Sequence, residues 1–142
     1  MSSGIIQEVE KLITRFNTNC PFKIASALGI HVIYEDLGST LGYFNQHFRI
    51  KIIHINENTS EEKQQFICAH ELGHAILHPH ANTPFLKKFT LYSTDKMEQE
   101  ANLFALRLLF LAGVYHGQLS IKEAVERYGI PKKVISNNLK GH

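Results

Sequence analysis

Residues Phe66 to His78 read FICAHELGHAILH, a strongly apolar run in which His70 and His74 stand four apart. On an α-helix, positions i and i+4 lie one above the other on the same face. Both imidazoles can therefore turn toward a single tetrahedral Zn2+. Glu71 follows the first histidine directly, so its carboxylate reaches a water beside the ion rather than the ion itself. That is the place of a general base in an HExxH zinc site. With nine histidines in 142 residues, the spacing arises by chance often enough that its surroundings must carry the argument.

The surroundings predict a long buried helix. Thr59 and Glu62 form a T-x-x-E capping box, which marks a helix start. From Glu61 to His78 there is no proline and one glycine. Phe66, Ile67, Ala69, Leu72, Ala75, Ile76 and Leu77 surround the two histidines. Polar groups buried there are costly unless satisfied, and a metal satisfies both imidazoles directly. Cys68 precedes His70 by two residues, points away from the proposed metal, and reads as core.

A catalytic zinc takes a third protein ligand and keeps one position open. His80 is one candidate, standing where the HExxHxxGxxH pattern places its last histidine. That pattern turns on a glycine, and Leu77 occupies the position here; Pro79 does offer a helix stop. The other candidates lie in Lys96 to Leu109, KMEQEANLFALRLL, a second stretch of helical periodicity. Glu98, Ala101, Asn102, Ala105 and Leu108 or Leu109 share one face. Glu100 lies roughly 200° round the helix from Glu98, on the side of Phe104 and Arg107. The small alanines let the Glu98 face approach the HELGH helix closely. Glu98 is therefore the favoured third ligand, ahead of Glu100 and then His80. Asn102, one turn on, is placed to hydrogen-bond a ligand histidine and hold its orientation.

Three blocks in this order resemble the ImmA/IrrE metallopeptidases of bacteria and their mobile elements. They are Lys51 to Asn56 leading into Thr59-Ser60-Glu61-Glu62, then Phe66 to His78, then Glu98 to Ala105 with Leu108-Leu109. The resemblance implies a zincin-like fold and a zinc ligand at the first glutamate of the third block, which is Glu98. Members often act beside a helix-turn-helix repressor and inactivate it, in several cases by cleavage. The family pattern continues Leu-Leu-Met-Pro after the third block, whereas this chain reads Leu108-Leu109-Phe110-Leu111.

The rest of the chain is expected to form one domain, residues 1–142, of α+β class. Ile5 to Phe16 reads as an amphipathic helix. Pro21 to Leu28 reads as a short helix closed by Gly29. His31 to Tyr34, Leu41 to Asn45 and Arg49 to Ile55 read as strands of a small antiparallel three-stranded sheet, with turns near Asp36 to Ser39 and at Asn45-Gln46. Pro79 to Asp95 is a loop with a basic-aromatic run, Phe85 to Tyr92. Ser120 to Tyr128 and Lys132 to Leu139 read as two more helices, about six in all, with the metal site between the two central ones.

Net charge is +2, too small to argue for direct nucleic-acid binding. Lys132, Lys133 and Lys140 read as a solvated face. Two distant cysteines, Cys20 and Cys68, suggest reduced thiols. No stretch is apolar enough for a signal peptide or a membrane span, so a cytoplasmic location is expected. Two functions of different class follow. One is a zinc-dependent endopeptidase acting on a protein substrate, with Zn2+ on His70, His74 and Glu98 and with Glu71 as base. Its oxyanion donor is not placed by any motif; Tyr92 and His116 are candidates without an assigned role. The other is a zinc-stabilised regulatory protein that inactivates a repressor without cutting it.

Overall fold

The amphipathic N-terminus becomes helix α1, Ser2–Phe16, burying Ile5, Val9 and Leu12 as its spacing requires. Helix α2, Pro21–Ala27, opens on a proline in its first turn, where a missing N–H costs nothing. It ends before Gly29, whose φ of +76° suits glycine. A computed structural model of the chain describes residues 2–79, 86–87, 96–111, 126–130 and 132. The expectations placed on His80, Tyr92, His116 and most of the two C-terminal helices lie outside the described residues. Residues 126–128 and 132 are helical.

Strands β1, His31–Glu35, β2, Thr40–His47, and β3, Ile50–Asn56, are joined by a two-residue β4, Leu86–Lys87, in the order β1-β3-β2-β4. The sheet is mixed, which corrects the antiparallel expectation. β2 runs antiparallel to β3, but β1 runs parallel to it, with His31 opposite Ile52 and Glu35 opposite Asn56. The chain leaves β1, passes over one strand spacing to form β2, and turns back so that β3 fills the gap. Alternation of apolar and polar residues is the same in either direction, so the sequence pattern could not distinguish the two. The Asn56 amide secures the crossing by donating to the Gly38 and Thr40 carbonyls, each at 2.9 Å.

Two local expectations shift. The β2–β3 turn falls at Phe48-Arg49, between the paired His47 and Ile50, and not at Asn45-Gln46. Phe48 takes a left-handed φ of +58° and is 84% exposed. Asn45 and Gln46 instead continue the strand, and Asn45 Oδ1 lies 2.9 Å from His54 Nε2. The cap of helix α3, Glu61–Leu77, is Ser60 and not Thr59. Ser60 Oγ accepts from the Lys63 N–H at 3.3 Å, while the Thr59 hydroxyl donates to the Asn56 carbonyl at 2.7 Å.

Helix α3 lies between the sheet and helix α4, Lys96–Leu106. Two glycines set its distance from each. A Cβ on Gly42 would sit 2.6 Å from Ile67 Cγ2, so α3 rests directly on β2. A Cβ on Gly73 would meet the Phe104 ring and Cβ at 3.1–3.2 Å, so α4 is equally close on the other side. Phe44, Ile53 and Ile55 from the sheet, Phe66 and Leu72 from α3, and Phe104 and Leu108 beyond form one buried core. Phe104 is fully buried, so the Glu100 side of α4 is core-facing there as well as the Glu98 side. After Leu106 the helix widens into a π-helical turn, Arg107–Leu111. No helix among the described residues is long and apolar enough to cross a membrane.

Candidate metal centre

Helix α3 carries ten consecutive buried residues from Phe66 to Ala75. His70, Glu71 and His74 are among them, at 3%, 1% and 1% exposure. The apolar residues around them hold the helix down on the sheet, so its polar side chains have only the seam with α4 to enter. Glu98 enters the same seam from the first turn of α4. Its Oε1 lies 3.1 Å from His70 Nε2, and its Oε2 lies 3.1 Å from His74 Nε2. One ligand atom from each of His70, His74 and Glu98 falls within 4.8 Å of the others. Among the described residues no other group of three His, Cys, Asp or Glu converges in this way.

The donor set fits a metal. Bonds of about 2.0–2.2 Å at tetrahedral angles put ligand atoms about 3.3 Å apart. Glu98 Oε1 lies 3.1 Å from His70 Nε2 and 3.2 Å from His74 Nε2, both close to that edge. The charge states fit as well. Burial, the largest influence, pulls the His70 imidazole below its ordinary value and so favours the neutral ring a metal needs. Burial would raise the Glu98 carboxyl, but the hydrogen bonds and charge of His70 and His74 outweigh it and hold it down at about 2.

Three buried polar atoms in this seam have no hydrogen-bond partner: His70 Nδ1, Glu71 Oε1 and Asn102 Oδ1. Unsatisfied buried atoms are rare and call for an explanation. His70 Nδ1 and Asn102 Oδ1 explain each other. Asn102 is 2% exposed, and its side chain is close enough to His70 to raise the basicity of that ring. Glu71 is different. Burial, and then the negative charge of Glu98, push its carboxyl well above the ordinary range. A carboxyl so placed has a high affinity for a proton and one oxygen ready to take it.

The alternative ligand Glu100 is not part of the cluster. Its Oε1 lies 2.8 Å from His78 Nε2. His78 in turn closes α3 as its C-cap and brings its Nδ1 to 3.2 Å from His74 Nδ1. His78 lies outside the HExxH pattern of His70 to His74. Its signal was present in the i, i+4 spacing after His74, which puts the two rings on one face. Cys68 is buried in the core, as expected, and its thiol is pushed far up by desolvation.

A family model described as the IrrE N-terminal-like domain, Peptidase_M78, matches residues 25–140. The chain is 47% identical over 102 residues to the Uncharacterized immunity region protein 2 of Bacillus phage phi105, covering 71% of this chain and 65% of that protein. It is 38% identical over 111 residues to the Metallopeptidase ImmA of Bacillus subtilis (strain 168), covering 76% of this chain and 64% of that protein. The chain thus spans just under two thirds of the length of these relatives. No solved structure matches it. With the family model covering most of its length and the buried HELGH helix at its centre, the chain belongs to the ImmA/IrrE family.

Proposed function

We propose that this chain is a zinc-dependent endopeptidase of the HExxH-plus-glutamate type, folded as a single zincin-like domain over residues 1–142. The observation that carries the reading is the convergence of His70, His74 and Glu98 in a buried seam beside a carboxyl whose Oε1 is unpartnered. His70 Nε2, His74 Nε2 and a Glu98 oxygen would hold the ion. Zn2+ bound there would supply Lewis acidity toward the scissile carbonyl and make a neighbouring water easier to deprotonate. Glu71 takes the proton of the attacking water on its Oε1 and delivers it to the leaving amine nitrogen. Asn102 accepts from His70 Nδ1 and keeps the ring turned into the seam.

The substrate is a protein, and within that class a DNA-binding repressor of a mobile element. The relative named for a phage immunity region and the relative named as a metallopeptidase support this reading. The chain acts on it in the cytoplasm, where its two free thiols persist. The test has two parts. Elemental analysis of protein purified without chelators should find about one zinc per chain, lost in Glu98→Ala and retained in Glu71→Gln. The cognate repressor mixed with wild type should give fragments by mass spectrometry, and none with Glu71→Gln. Zinc without fragments would transfer the protein to the binding class, inactivating its repressor by sequestration. Fragments from Glu71→Gln would remove Glu71 as the base.

A further inference from the structure

We infer that His78 and Glu100 are positioning residues that fix the ring of His74 in the one tautomer able to bind the metal. This rests on the reading of His70, His74 and Glu98 as ligands, and adds a hydrogen-bonded relay behind one of them. The relay runs Glu100 Oε1, His78 Nε2, His78 Nδ1, His74 Nδ1, with separations of 2.8 Å and 3.2 Å.

A neutral imidazole carries one N–H and one lone pair, and which nitrogen has which is set by its partners. A metal on His74 Nε2 needs the lone pair there, so the proton sits on Nδ1. The neighbour facing that proton is His78 Nδ1, at 3.2 Å, which must then accept. This leaves the His78 proton on Nε2, where it faces Glu100 Oε1 at 2.8 Å. A carboxylate can only accept. Glu100 therefore pins His78, and His78 pins His74. With His78 neutral, both hydrogen bonds of the relay are satisfied by one arrangement, the one that presents the His74 lone pair to the metal.

The fold builds the relay from both sides of the seam. His78 is the C-cap of α3, and its N–H donates to the His74 carbonyl at 2.8 Å, which holds its ring over the preceding turn. Its side chain is only 10% exposed and that of Glu100 26%, so water competes weakly for these bonds. Glu98 and Glu100 stand two apart on α4 and so project in different directions. One reaches the metal position and the other reaches the histidine behind it. His74 is thereby backed by an imidazole–carboxylate pair.

The experiment uses the full chain loaded with zinc. Long-range 15N–1H spectra of the histidine rings should show His74 protonated at Nδ1 and His78 protonated at Nε2. A His78 ring protonated at Nδ1, or exchanging between tautomers, overturns the inference without any substitution. Zinc affinity is then measured by chelator competition. His78→Leu should bind zinc about 10–100-fold more weakly, as loss of an outer hydrogen-bonding partner does. His78→Gln, whose carbonyl can still accept from His74 Nδ1, should recover most of that loss. Unchanged affinity in His78→Leu, or a His78→Gln as weak as His78→Leu, overturns the positioning role. Wild type that takes up no zinc overturns the metal-centre reading itself, an outcome distinct from zinc bound equally well by all three proteins.

Discussion

Glu71→Gln should stabilise the zinc-free protein near neutral pH, and the gain should vanish in acid. The Glu71 carboxyl is 1% exposed, its Oε1 has no partner, and burial with the Glu98 charge raises it well above the ordinary carboxyl range. A carboxyl whose folded value is raised adds most stability below its unfolded value, and that stability is lost as pH rises toward the folded value. The loss accrues at no more than about 1.4 kcal/mol per pH unit for a single group. Gln has nearly the same shape and no charge, so it escapes the loss. Between pH 5 and pH 7 the gap between Glu71→Gln and wild type should widen by about 1–3 kcal/mol, the range for an unsatisfied buried polar group. For a chain of this size that is about 3–10 °C in Tm. The assay is thermal or urea unfolding of chelated wild type and variant across pH. Comparing the two at each pH cancels the titration of groups they share. Equal stability at every pH, or a variant that is weaker at pH 7, would refute the claim that Glu71 is held against its own solvation. With zinc bound, the cation beside Glu71 reverses the local electrostatics, so the gap should shrink when the metal is restored. A residue that destabilises the empty fold and is relieved by the ion is the pattern expected of a functional group.

Gly73→Ala sets a helix gain of about 1 kcal/mol against overpacking of about 1–3 kcal/mol, since the new Cβ meets a fully buried Phe104 at 3.1–3.2 Å. The variant should be no more stable than wild type and should bind zinc more weakly, because any widening moves Glu98 off His70 and His74; a gain in Tm with unchanged zinc affinity would contradict this. Native alkylation followed by peptide mapping should label Cys20, which is partly exposed, long before Cys68, which is buried with its thiol pushed far up; early labelling of Cys68 would place it outside the core.

Much of the candidate site was legible because the relevant signals are local. A 3.6-residue period puts His70 and His74 on one face, Glu98 with Asn102 on another, and Glu100 elsewhere. Those directions hold in the folded chain, where Glu98 meets both histidines and Glu100 does not. The end of α1 and the start of α2 were legible for the same reason, through an apolar stripe and a proline at a helix start, whereas α1 begins three residues before the expected Ile5. The cap of α3 was misplaced by one residue because Thr59 and Ser60 are chemically interchangeable as caps. What separates them is where the helix begins, at Glu61, directly after Ser60. The strand that ends at His47 was cut short because its turn uses Phe48 in a left-handed conformation, which no turn-residue preference suggests.

By itself, then, the sequence determined which side chains share a helix face and hence which chemistry the two central helices can present. Periodicity is a property of neighbours along the chain and survives any packing that buries the apolar stripe. Tertiary structure alone decided what those faces meet. It inserted β3 between β1 and β2 to make the sheet mixed, brought Phe104 against Gly73, and joined His74 through His78 to Glu100 across 22 residues of chain between the last two. Those pairings depend on which distant surfaces come together, and no local pattern of hydrophobicity encodes a partner so far along the chain.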